Sequence, residues 1–184
     1  MFNDRYGLTQ AVIEGRKTMA MMLINIKSTS DVQVRIFAGY VQIIGRSGDV
    51  CAEKKLSYKV GEVVAVAQSY NSFYDDTYNP VMFPAGAGWG NKMFVKAELM
   101  PYQIRITGIK CERLQDISDA DCIREGIRYL PKIGKFYFED TRREEGFYFD
   151  DHREAFASLI NKVSGLGTWQ RNPRVVAYEF ELVK

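Results

Sequence analysis

The run YQIRITGIKCERL, residues 102–114, limits the fold more than any other stretch of the chain. Tyr102, Ile104 and Ile106 alternate with polar neighbours, and after Gly108 the apolar positions change phase to Ile109 and Cys111. Period-two alternation is the pattern of a strand with one buried face, and a change of phase at a glycine predicts a bulge or bend of the kind that curves a sheet toward a barrel. A second long alternation lies in RVVAYEFELV, where Val176, Tyr178, Phe180 and Leu182 oppose Glu179 and Glu181. Two long strands, one of them bent, predict a curved sheet.

The other elements are shorter. LTQAVIE spaces Leu8, Ala11 and Val12 as one helical stripe, with Gly15 as its left-handed stop, and residues 19–26 read as a buried strand. VQVRIFAGYVQIIG and DVCAEKKL flank the turn residues of RSGD, which predicts a long hairpin. EVVAVAQSY reads as a central strand whose polar end, Gln68 and Tyr70, is a natural site position, and residues 71–100 read as a long ordered loop. ISDADCIREG predicts a helix capped by Ser118 and ended by Gly126. KFYFEDTRREEGFYFDD predicts two aromatic strands joined by a charged tip, and DHREAFASLINKVSG predicts a helix with Asp151 and Glu154 at capping-box spacing. This order implies one α+β domain spanning 1–184, mostly antiparallel, with a hairpin inserted at about 135–149.

At 184 residues and 46% hydrophobic composition, the chain can bury a sizeable core. Its formal net charge of +2 gives little global attraction for a polyanion, so any nucleic-acid contact must be local. Cys51, Cys111 and Cys122 are odd in number and far apart, which excludes a CxxC zinc or redox site and reads as buried thiols in a reducing compartment. His152 is the single histidine, and its place in DDHRE marks a helix start rather than a base. No metal site and no cofactor is expected. No apolar run is long enough to span a membrane and no leader pattern is present, so a cytoplasmic protein is expected.

PAGAGWGNK has the glycines of a phosphate loop, but Asn91 separates the last glycine from Lys92 and no helix pattern follows, so it reads as a tight turn displaying Trp89. Lys17 stands just after a helix stop and just before an apolar strand, from where it can project into the mouth of a barrel, out of bulk water. Glu125 falls in the last turn of its helix, where a carboxylate opposes the helix dipole unless a cation pairs with it. Lys17 is a candidate partner; a solvated Glu125 is the alternative.

FNDRYGLTQAVIEGRKT, YKVGEVVAVAQSY, RITGIKCERLQDISDADCIREGI and AFASLINKVSGLGTWQRNPRVVAYEFELV together resemble the ASCH-domain proteins common in phage and prophage genomes. The resemblance implies a PUA-like fold, a small β-barrel with flanking helices, and a pocket for RNA, a nucleotide or a modified nucleobase. It also implies that an amidohydrolase branch works with a lysine, a threonine and a glutamate. Carried onto this chain, these fall on Lys17, the position of Ala20, and Glu125. The family signature continues with an arginine where this chain has Met22, so catalysis is in doubt while Lys17 and Glu125 stand as its candidate residues. Thr18 neighbours Lys17 but points to the other strand face. The ligand-binding set expected on this basis is Arg5, Tyr6, Lys17, Gln68, Tyr70, Trp89, Glu125 and Trp169. A phage-derived interaction module, using the aromatic hairpin as its surface, is the third expectation.

Overall fold

A computed structural model describes residues 2–24, 33–73, 86–142 and 147–183. Its centre is the long strand that the phase change marked, β6 (Gln103–Arg113), paired antiparallel with β10 (Arg174–Leu182). Glu179 stands opposite Gly108 and Phe180 opposite Ile106, so Thr107 has no cross-strand partner and the bulge sits at the glycine. β1 (Met19–Leu23) flanks β10, and β5 (Val63–Ala65) flanks β6, giving the strand order β1-β10-β6-β5. The sheet curls into a half-barrel in an α+β architecture that is mostly antiparallel.

Two strands differ from expectation. EVVAVAQSY does not run through the middle of a sheet: β5 is three residues at an edge, and Tyr70 opens a short 3-10 turn. The expected long hairpin is a three-stranded meander of β2 (Gln33–Phe37), β3 (Tyr40–Ile44) and β4 (Val50–Lys55). The missed turn lies at Ala38 and Gly39, with φ of 50° and 84°, and two successive left-handed residues make the tight reversal that lets Phe37 face Tyr40. Glycine, asparagine and aspartate favour that conformation and alanine does not, so Ala38 hid the turn.

The helices fall close to their caps. α1 (Leu8–Ile13) ends ahead of Gly15, and α2 (Asp119–Arg124) begins where the Ser118 hydroxyl accepts from the Asp121 amide at 3.2 Å. α3 (His152–Ser164) begins where the Asp151 carboxylate accepts from the amides of Arg153 and Glu154. α4 (Thr168–Arg171) is a single turn leading into β10. None of these helices is long and apolar enough to cross a membrane.

The aromatic hairpin forms as β8 (Lys135–Phe138) and β9 (Phe147–Phe149), extended by β7 (Arg128–Leu130); the charged tip at 143–146 lies outside the described residues. One face of this small sheet packs on α3. Phe138 is 1% exposed, stacks on Phe147 and Phe149 at 5.0 and 5.9 Å, and meets Tyr6 edge-on at 5.9 Å. Arg5 grips Asp140 with its Nε and Nη2 at 3.0 and 2.9 Å. The hairpin thus completes the core on the helix side of the main sheet.

The cysteines part company with burial. Cys122 is fully buried and Cys111 partly so, but Cys51 is exposed on β4. Burial pushes the Cys122 thiol up to about 12, where it holds almost no thiolate. A thiol-alkylating reagent at neutral pH should label Cys51 in the native protein and Cys122 only after denaturation, as read by peptide mass spectrometry. Truncating Phe138 to Ala should cost about 3–5 kcal/mol and lower Tm by about 10 °C. A loss below about 1 kcal/mol in urea titration would instead mean that the hairpin is an independent appendage.

Candidate functional site

The chain leaves α1 with the amides of Arg16 and Lys17 both donating to the Ala11 carbonyl at 2.9 Å, and this turn aims the Lys17 side chain inward. Lys17 is 3% exposed and Glu125 6%. Its ammonium donates to the Glu125 carboxylate through Oε2 and to the Glu125 main-chain carbonyl at 2.8 Å. The other carboxylate oxygen, Oε1, accepts from the Met21 amide at 2.6 Å. Glu125 is therefore bonded on both oxygens, and its place at the helix end is explained by the cation it meets. The alternative of a solvated Glu125 does not hold.

Backbone stitching fixes this approach. The Thr18 amide donates to the Arg124 carbonyl at 3.0 Å, and Arg124 Nε donates to the Thr18 hydroxyl at 3.2 Å. Arg124 in turn reaches Asp121 and Glu179, and Lys110 donates to Asp121 at 2.7 Å. Burial opposes ionisation of Asp121, but hydrogen bonds from Lys110 and Ser118 prevail and hold its carboxyl below the ordinary value. Gly126 follows Glu125 at φ 111°, where a Cβ would come within 3.2 Å of Leu8 and 3.8 Å of the Lys17 stem. A side chain there would be strained by the positive φ and would press on Leu8, while only touching the Lys17 stem.

β1 is an edge strand, not the buried strand expected over 19–26, and residues 25–32 lie outside the described set. Its two faces nonetheless both meet apolar surroundings. Met19 and Met21 face the helix-side core with Val175 and Ala177, while Ala20 joins Val176, Tyr178 and Phe180 inside the half-barrel. Alternation between two cores accounts for the apolar residues Met19 to Met21 directly after two cations, while Met22 and Leu23 at the end of the strand are exposed.

A cavity of about 570 Å³ runs along the free edge of β1. Ala20, Met21 and Met22 all line it, so it wraps the strand edge and touches both faces. Val64 and Ala65 of β5 line it as well. Since β5 is the opposite edge of the same sheet, the curl brings the two edges to one cavity, which occupies the seam of the half-barrel. Phe2, Tyr58, Tyr178 and Phe180 supply aromatic walls, and α3 adds Phe156 and Leu159. Tyr58 and Tyr178 meet edge-on at 5.4 Å, with the Tyr178 hydroxyl accepting from the Ser57 amide at 3.0 Å. Lys17 and Glu125 are the charged residues in this lining.

Of the eight residues expected at a barrel-mouth site, the structure brings Lys17 and Glu125 together in this cavity and puts the other six outside its lining. Arg5 is engaged by Asp140, and Tyr6 is a core residue against Phe138. Gln68 and Tyr70 follow the short edge strand into a separate cluster, where Tyr70 is 1% exposed and its hydroxyl accepts from the Lys96 amide at 2.9 Å. Trp89 packs in that same cluster, and Gly88 is the residue the Tyr70 ring covers, since a Cβ there would lie 2.7 Å from it. Gly88 of the glycine-rich run thus serves packing. Lys92 binds Asp4, Thr9 and the Phe2 carbonyl rather than standing free for a phosphate. Trp169 packs edge-on against Phe156 at 6.0 Å, beneath the Arg153 guanidinium. His152 begins α3 with Nε2 2.9 Å from Asp119. Among the described residues no group of three or more His, Cys, Asp or Glu is placed to hold a metal ion.

Sequence reasoning missed Phe2, Tyr58 and the small pair Ala65 and Ala67 as cavity residues. A signal for the last was present: two alanines two apart in VVAVAQ leave room on one strand face. Comparison with protein-family models, with curated proteins and with solved structures returned no match to this chain.

Removing one member of the buried pair leaves the other charged and uncompensated. Lys17→Met and Glu125→Gln should each cost about 3–5 kcal/mol, and the double variant should cost much less than their sum. Urea denaturation of the three variants checks this; additive losses would show that the two groups are not coupled.

Proposed function

We propose that this chain is a PUA-like domain of the ASCH type that binds a nucleobase or nucleoside, free or within a short RNA, in the cavity at the seam of its sheet. The observation that carries this reading is the buried Lys17–Glu125 pair, set in the wall of a cavity whose other lining is mostly apolar and aromatic, with Asn3 and Ser164 as its uncharged polar members. A heterocyclic base has flat apolar faces and an edge of donors and acceptors, and this lining complements both. The cavity volume of about 570 Å³ lies within the range of small-molecule sites.

Ala20 and Met22 line the cavity at the two positions where the family resemblance implies a polar residue and an arginine. Lys17 is committed to Glu125. An anionic group therefore finds no free guanidinium fork there, and the reading favours an uncharged ligand portion. Hydrolysis of an acylated base is the second reading, supported by the contact of the lysine with the glutamate. It lacks the third group, because Ala20 offers a methyl and the Thr18 hydroxyl is turned to Arg124.

Thermal-shift measurements with ribonucleosides, their 5′-monophosphates and short single-stranded RNA test the proposal. A ligand at a hundredfold its Kd should raise Tm by about 5–10 °C, with no gain from the phosphate. Absence of a response to every member of the panel would overturn the reading. Incubation with acetylcytidine should release no acetate above buffer; release abolished by Lys17→Met would replace binding with amidohydrolysis.

A further inference from the structure

Phe2 stands apart from the other aromatic walls of the cavity. Its ring lies 5.6 Å from the Phe180 ring, tilted by 53°, and 5.9 Å from the Lys17 ammonium. It touches both hydrophobic clusters, on the helix side and inside the half-barrel, so it sits in the seam between them. It is not carried by a strand or a long helix. The segment bearing it precedes a single 3-10 turn, Asp4–Tyr6, and is held by the Lys92 side chain and by the Leu8 amide, which donates to the Asn3 carbonyl. The Lys92 ammonium donates to the Phe2 carbonyl at 3.2 Å and to the Thr9 hydroxyl at 2.5 Å, and pairs with Asp4 at 2.6 Å. Asp4 is largely exposed and Lys92 largely buried, so this latch meets solvent through Asp4.

We infer that Phe2 occupies the ring subsite of the cavity, and that a planar, uncharged heteroaromatic ring binds by replacing it between Phe180 and Lys17. The inference rests on the nucleobase reading and specifies how the ligand reaches the ion pair. An aromatic ring beside Phe180 and near an ammonium is already stabilised by tilted ring–ring contact and cation–π attraction. A base ring can make both contacts and add hydrogen bonds at its edge, which phenyl cannot. Displacement is feasible because Phe2 is only partly buried, and a base ring entering the subsite replaces the ring contacts that Phe2 gives up. The protein then spends most of its time with the subsite filled, and its apparent affinity is lowered by the fraction of molecules in which Phe2 is undocked.

Isothermal titration of the full chain with adenosine, cytidine and acetylcytidine tests this in three forms: wild type, Phe2→Ala, which empties the subsite, and Lys92→Met, which releases the latch and leaves the ring in place. Both variants should bind the best of these nucleosides at least tenfold more tightly than wild type. In wild type, the same nucleoside should accelerate amide hydrogen exchange of Leu8, whose N–H is bonded to the Asn3 carbonyl at 3.1 Å. Should Phe2→Ala unfold, Lys92→Met and the exchange measurement carry the test. Wild type binding with no gain in either variant and no change in exchange would overturn the subsite while leaving the nucleobase reading intact. Failure of all three proteins to bind would overturn both.

Discussion

The arrangement of the molecule turns on one carboxylate. Glu125 sits at the end of α2, where its charge opposes the helix dipole, and it is held there because one oxygen accepts from Lys17 and the other from the Met21 amide. Those two partners come from α1's exit and from β1, so a single side chain joins the first helix, the edge strand and the second helix. The stitching between Thr18 and Arg124 repeats the connection in the backbone. Removing water from two opposite charges is costly in isolation, and the main-chain carbonyl and amide that complete their hydrogen bonding offset it.

What the half-barrel adds is a place for this pair to act. Four strands with a bulge at Gly108 curl far enough for β1 and β5 to share a cavity, without closing into a ladder between them. A closed barrel of this size would fill its interior with side chains. Here the seam stays open, and the alternation of MAMML supplies apolar walls on both sides of the strand edge. The polar pair lies at the boundary between two hydrophobic clusters, where a ligand can meet an apolar surface and a charge-paired end together.

Much of this was legible in the chain. The phase change in residues 102–114 located the bulge, the capping residues Ser118 and Asp151 located two helix starts, and a carboxylate misplaced at a helix end pointed to its cation. Each of these is a local conflict or preference that a single sequence records. The remainder depended on long-range packing. VVAVAQ has the same pattern whether it lies centrally or at an edge, and nothing local reveals how many neighbours a strand has. Arg5, Tyr70 and Trp169 carry chemistry common at binding sites, yet Asp140, Gly88 and Phe156 claim them from distant parts of the sequence. Ala38 in a left-handed turn gave no warning, because the residue that signals such a turn is usually glycine or asparagine.

The bond from the Met21 amide to Glu125 has an effect beyond the cavity. β1 is the rim of its sheet, and a rim with unsatisfied amides invites a strand from another molecule to add to it. By occupying an outward-facing amide in the middle of β1, the carboxylate makes that rim a poor template for intermolecular pairing. The same carboxylate that neutralises the lysine through one oxygen thereby helps, through the other, to keep neighbouring copies of the chain from zipping together.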